Sequence, residues 1–136
     1  MAEQIAFLRT EPYQLTEGVS RPAVYYRLVY EGRASSVYLG IIDSSADYVM
    51  VPSLLATDLG LDLAQLPTRR FVGPDGRYYR RPYTLATIHC QGRMIQTEIF
   101  FSGLQDAFLG RAGFFSHFIF GIDELNQRIL IQPNPA

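Results

Sequence analysis

The chain has 136 residues, 48% of them hydrophobic, and a formal net charge of -1. That length and apolar content suit one domain with its own core, and the balanced charge gives no bulk electrostatic reason to bind nucleic acid or an anionic membrane. The one cysteine, Cys90, excludes an intrachain disulfide framework and a cysteine-rich zinc site and reads as a small buried hydrophobe in a strand.

Met1 to Leu15 mixes Glu3, Gln4, Arg9 and Glu11 among its apolar residues. It offers neither a signal-peptide core nor a membrane span, so a soluble cytoplasmic protein is the expectation. Beyond it, helix-period patterns are scarce, whereas short runs rich in Val, Ile, Tyr, Phe and Thr recur between glycine-bearing turns, which predicts an all-β fold.

Two units look alike. In the first, Val24 to Tyr30 predicts a strand, Glu31-Gly32-Arg33 a turn and Val37 to Ile42 a strand ending in Ile41-Ile42, with Asp43 following. In the second, Tyr83 to Cys90 predicts a strand, Gln91-Gly92-Arg93 a turn and Met94 to Phe101 a strand, with Phe108-Leu109 then leading into Gly110. Each unit runs on into a predicted short helix, Pro52 to Leu59 and Arg111 to Phe118. Pro52 suits a first helical turn and Gly60 a left-handed stop. This weak repetition suggests two related halves around a common centre.

Between the units, Gly73-Pro74-Asp75-Gly76 is a dense turn signal flanked by Phe71-Val72 and Tyr78-Tyr79, which predicts a projecting hairpin over Arg69 to Arg81. All twelve basic residues of the chain are arginines, and Arg69, Arg70, Arg77, Arg80 and Arg81 fall here. They form a local patch able to grip phosphates or carboxylates, although solvated arginines on an exposed hairpin fit the total charge better. Ile119 to Ile122 and Ile129 to Gln132 predict a last strand pair before Pro133-Asn134-Pro135. No interdomain linker is recognisable.

Asp43-Ser44-Ser45-Ala46-Asp47 places a carboxylate at the end of an apolar strand. On its own, Asp-Ser-Ser is ordinary Asx-turn chemistry. The wider pattern, from about Val24 to Gln132, resembles the retropepsin-like (retroviral-type) aspartic proteases. In that family an apolar run leads into Asp-Thr/Ser-Gly-Ala, as Leu39-Gly40-Ile41-Ile42-Asp43-Ser44-Ser45-Ala46 does here. An apolar segment then reaches a Leu-Gly-Leu stretch, here Val49-Met50-Val51-Pro52 through Leu59-Gly60-Leu61. A glycine-containing flap follows, matched by Gly73-Pro74-Asp75-Gly76. The second signature, an apolar pair before Gly-Arg and a helix, is matched by Phe108-Leu109-Gly110-Arg111 and Phe114-Phe115. The C-terminal strand pair resembles the bacterial and DNA-damage-inducible members.

The resemblance implies a closed, mostly antiparallel barrel forming half of an acid protease, with one or two short helices. Because the chain supplies one such aspartate, it implies a homodimer in which two Asp43 carboxyl groups share a proton. One would activate a water and the other polarise the scissile carbonyl of a peptide or protein substrate, with no metal or other cofactor. Ser44 matches a hydroxyl that bonds across the dimer, Ala46 completes the motif, and Asp47 and Arg111 match an acid and an arginine that pair near the interface. The flap would close over an extended peptide. Ser45 stands where the family has glycine and adds a side chain where backbone and substrate approach.

His89 and His117 lack partners at metal-ligand spacing and read as packing or surface residues. The rival to an active endopeptidase is a catalytically silent protease-fold domain serving dimerisation or peptide binding. A third reading, nucleic-acid binding through the arginine-rich hairpin, predicts a steep loss of affinity with salt.

Overall fold

The computed structural model describes residue 7, residues 9–73 and residues 75–134. In chain order its strands are β1 (Arg9–Pro12), β2 (Gln14–Thr16), β3 (Val19–Arg21), β4 (Ala23–Tyr30), β5 (Arg33–Ala34), β6 (Tyr38–Ile42) and β7 (Val49–Pro52). A short helix α1 (Leu54–Asp58) and a 3₁₀ turn at Leu63–Gln65 lead to β8 (Thr68–Val72), β9 (Tyr78–Cys90), β10 (Arg93–Ser102) and β11 (Ala107–Leu109). A second 3₁₀ turn, Phe115–His117, precedes β12 (Phe118–Asp123) and β13 (Arg128–Pro133). Strands take up 57% of the described residues and helical turns 9%, so the molecule is all-β.

Three two-residue turns set the hairpins. Glu17-Gly18, Glu31-Gly32 and Gln91-Gly92 all have positive φ at both positions. This is the mirror-image turn whose twist matches that of the strands it joins. They fix the registers Thr16 opposite Val19, Tyr30 opposite Arg33 and Cys90 opposite Arg93.

The main sheet runs β5-β4-β6-β11-β7-β10-β9-β8, and an additional β4–β9 pairing closes six of these strands into a barrel. Four of the six seams are antiparallel; β6–β11 and β7–β10 are parallel. Alternation fills the interior: Val24, Tyr26 and Leu28 of β4 are buried, while Tyr25 and Arg27 between them are exposed. They meet Ile88 of β9, Ile95, Ile99 and Phe101 of β10, Leu109 of β11 and Leu55 of α1 in one cluster. A separate sheet, β1-β13-β12, joins that core through Ile129 and Ile131.

Several expectations are corrected. The hairpin arm and the strand after it are one thirteen-residue strand, β9, which runs through Pro82. The ladder continues past the proline: Thr68 lies opposite Pro82, and the next amide, that of Tyr83, donates to Pro67 O at 3.1 Å. Pro52 ends β7 instead of opening the helix, whose N-cap is Ser53. Gly60, with φ +71, supplies the left-handed stop read from the sequence. No α-helix forms over 111–118. Gly113 has φ +89, which breaks helical winding, and only the 3₁₀ turn remains. Strands β1 to β3 lie before the expected start of the core near Val24. Among the described residues no helix is long and apolar enough to cross a membrane.

Candidate active site

The site is built where β11 slips between β6 and β7. It runs parallel to β6, with Ala107, Phe108 and Leu109 opposite Gly40, Ile41 and Ile42, and it touches β7 at Met50. Burial of Ile41 and Ile42 pins the end of β6. Asp43, the next residue, donates its N–H to Leu109 O at 3.1 Å, and the turn closes when Ala46 N–H reaches Asp43 O at 3.2 Å. The chain after the aspartate then lies against the chain after β11. Arg111 N–H bonds Ala46 O and Ala112 N–H bonds Asp47 O, both at 2.8 Å. Only glycine fits between them, because a Cβ on Gly110 would lie 2.2 Å from Tyr48 O and 2.5 Å from Ala46 O.

Asp43 as a residue is partly buried, and the hydrogen bonds of its carboxylate lie at the surface. Its Oδ1 accepts the Ser45 N–H at 2.9 Å and the Ser45 hydroxyl at 2.5 Å. The N–H bond is the Asx turn that Asp-Ser-Ser suggests. Ser45 is not among the positive-φ residues, so a side chain here carries no left-handed strain. Ser44 is exposed, and its hydroxyl has no hydrogen-bond partner among the described residues. It borders an apolar cleft between Pro22, Ile42, Phe115, Phe120 and Ile122.

On the other side of the loop, Asp43, Ser45, Ala46 and Asp47 face a cleft of about 250 Å³ with Tyr48, Met50, Phe71, Val72 and Phe108. Phe71 and Val72 come from β8, so the hairpin of β8 and β9 roofs the aspartate. A second cleft of about 490 Å³ shares Met50, Phe71 and Val72 with the first and extends to Tyr79, Arg81 and Leu104. The two make one groove beneath the hairpin.

The root of the hairpin is fastened by Arg69. Its guanidinium donates to both oxygens of Glu98 on β10, at 2.5 and 3.2 Å. It also lies 4.7 Å from the ring centre of Tyr83, 5.3 Å from that of Phe100 and 5.7 Å from that of Tyr48. The Glu98 hydrogen bond raises the Arg69 pKa, so the charge is permanent. Phe100 faces away from Ile99 and Phe101, outside the barrel wall, yet is fully buried under Phe71, Tyr83 and Tyr48. The sequence reading missed this anchor. Its signal was the Arg and Glu on strands two apart, which becomes visible only once the order β8-β9-β10 is known.

At the hairpin tip, Gly73 N–H bonds Arg77 O at 2.8 Å, and Gly76 adopts φ +78. Asp75 accepts the Arg77 N–H at 3.0 Å and the Tyr79 hydroxyl at 2.9 Å. These two bonds hold its pKa below the ordinary carboxylate value. Pro74 lies outside the described residues. Asp47 and Arg111 are brought together by main chain only; both side chains are exposed, and no ion pair joins them among the described residues.

Away from the groove, Cys90 is buried with its thiol pushed up to about 12 by desolvation. His89 lies in β9, opposite Met94 of β10, and His117 ends the second 3₁₀ turn. No family model matches the chain, and no curated protein matches it.

Proposed function

We propose that this chain is one half of a homodimeric aspartic endopeptidase of the retropepsin-like type, with Asp43 as its catalytic carboxylate. One observation carries the reading. The two segments on which the resemblance rests, 39–46 and 108–111, are far apart in sequence, yet they lie side by side as β6 and β11 with their following loops interlocked. The aspartate emerges from that pair into a groove under a glycine-tipped hairpin, which is the arrangement needed to clamp an extended peptide over a carboxylate.

A single carboxylate is half of the required machinery. Brought beside the Asp43 of a second copy, it forms a pair in which both cannot ionise cheaply. The ionised member takes a proton from water as that water attacks the carbonyl carbon; the protonated member donates to the carbonyl oxygen. Self-association is supported by the Ser44 hydroxyl, unpartnered among the described residues, by the apolar cleft beside it with exposed Ile122 on its lining, and by β12 being an edge strand among the described residues.

A second reading, a protease-fold dimerisation or peptide-binding module without turnover, is favoured by one contact. The Ser45 hydroxyl already occupies Oδ1 of Asp43. Incubating the protein and its Asp43→Asn variant with a diverse peptide mixture from acid to neutral pH separates the two. Cleavage by the parent protein alone supports the enzyme, and binding without cleavage by either supports the module.

A further inference from the structure

The hairpin places Arg69 directly opposite Arg81 and Arg70 directly opposite Arg80. Like charges in such cross-strand pairs repel. Each has a different surrounding. Arg69 is neutralised by Glu98. Arg70 stacks over Tyr78 at 4.4 Å, and Arg80 donates to Thr68 Oγ1 at 3.2 Å, both on the exposed outer face. Arg81 is on the inner, half-buried face and lines the groove. Its guanidinium lies 5.1 Å from the Tyr79 ring centre and makes one hydrogen bond among the described residues, to Arg80 O at 3.1 Å. No carboxylate pairs with it among the described residues. Asp75, the acid nearest in the hairpin sequence, has its oxygens engaged by Arg77 and Tyr79.

The groove therefore has a polarity. Asp43 and Asp47 stand at one end, Met50, Phe71 and Val72 form an apolar middle, and Arg81 with Tyr79 stands at the other end. From this we infer that the groove selects a peptide carrying an acidic side chain at the position that faces Arg81. A carboxylate there meets a guanidinium with spare donors in a partly desolvated setting, where a charge-assisted pair is stronger than on open surface. The same carboxylate shifted toward Asp43 and Asp47 would be repelled, so the pairing also fixes where along the peptide the aspartate acts. The inference deepens the proposed function and rests on its peptide-binding half, not on turnover.

The test uses the full chain as its Asp43→Asn variant, which prevents turnover, and fluorescein-labelled Val/Ser peptides in which one Glu is walked along the sequence, each paired with its Gln counterpart. Fluorescence anisotropy should show one position at which Glu binds about five-fold tighter than Gln. Arg81→Gln should equalise that pair, Arg81→Glu should invert it, and Arg80→Glu should leave it unchanged. Circular dichroism of each variant confirms that the fold is intact. No position preferring Glu, or no peptide binding at all, overturns the inference. So does an equal effect of the Arg80 and Arg81 reversals, or displacement of the peptides by a short oligothymidylate, since either assigns the arginines to unspecific anion capture. Glu preference in a protein that never cleaves would sink the endopeptidase and keep the inference; cleavage with no preference would do the reverse.

Discussion

Ser45 gives both its backbone N–H and its hydroxyl to the same oxygen of Asp43, Oδ1, at 2.9 and 2.5 Å. The serine that departs from the family motif is thus a direct partner of the candidate catalytic group. A hydroxyl on Oδ1 fixes the carboxylate and competes for that oxygen with any water the carboxylate must activate. Ser45→Ala removes the hydroxyl bond and keeps the N–H bond. It is expected to dimerise normally and to raise peptide turnover about five-fold, the worth of roughly 1 kcal/mol of hydrogen bond. Ser45→Gly should likewise maintain or raise turnover, and Asp43→Asn should abolish it. Loss of turnover in a normally dimeric Ser45→Ala protein would show that the hydroxyl belongs to the working site.

The second expectation concerns assembly. Light scattering of the purified chain at micromolar concentration should report about twice the monomer mass. A protein that stays monomeric when concentrated leaves Asp43 without a second carboxylate and removes the basis for hydrolysis.

Gly110→Ala tests the interlocked loops. Its new methyl would meet two backbone carbonyls, which cannot swing aside as a flexible side chain can. A loss of about 3 kcal/mol in urea unfolding is expected, at the upper end for overpacking. A change below roughly 1 kcal/mol would mean that loops 46–48 and 110–112 separate easily, on the same scale of packing costs.

Arg69 links hairpin to barrel. Its pair with Glu98 has both side chains 37% exposed, so solvent screens it and the ion pair alone contributes little. Removing the guanidinium also uncovers the rings of Tyr83 and Phe100. Arg69→Ala should therefore destabilise the fold more than Glu98→Gln does in urea unfolding, and equal losses would confine its role to the ion pair. In a cleaving protein Arg69→Ala should raise KM more than it lowers kcat, and the reverse split would speak for a role in chemistry.

The hairpin tip should respond to acid. Asp75 has a lowered pKa in the folded chain because Arg77 N–H and the Tyr79 hydroxyl bond its carboxylate. Its stabilising contribution is therefore fully present above the ordinary carboxylate pKa and is lost as pH falls through the lower, folded value. Amide exchange at Arg77, corrected for intrinsic rate, should accelerate on that descent, and Asp75→Asn should show the fast exchange at neutral pH. If turnover is present, its own pH profile should be bell-shaped with an optimum below neutrality, because one proton must be shared across the carboxylate pair.

The barrel strands were legible because period-2 alternation and the Xaa-Gly turns are local signals. The Asp43 turn was legible for the same reason, since its partner Ser45 is two residues away. Strands β1 to β3 are short and largely exposed, so no alternation marks them. The expected helix after Arg111 fails at Gly113, whose φ a composition of aromatic residues does not reveal. The hairpin arm and the strand from Tyr83 look separate in sequence, yet one ladder runs through Pro82, with Thr68 opposite it. Arg69 with Glu98, and an Arg81 guanidinium with no carboxylate partner among the described residues, depend on which strand lies beside which. No local pattern encodes that.

Strand β9 is a single rail that serves as hairpin arm at one end and closes the barrel against β4 at the other, through Leu28 opposite Ile88. Whatever occupies the groove and steadies Tyr79 and Arg81 therefore loads the same rail that completes the barrel. Occupancy and cohesion become two readings of one equilibrium: a groove ligand is expected to slow amide exchange along the β4–β9 seam, on the far side of Pro82 from its contacts, and to add stability that grows with the logarithm of one plus its free concentration over Kd.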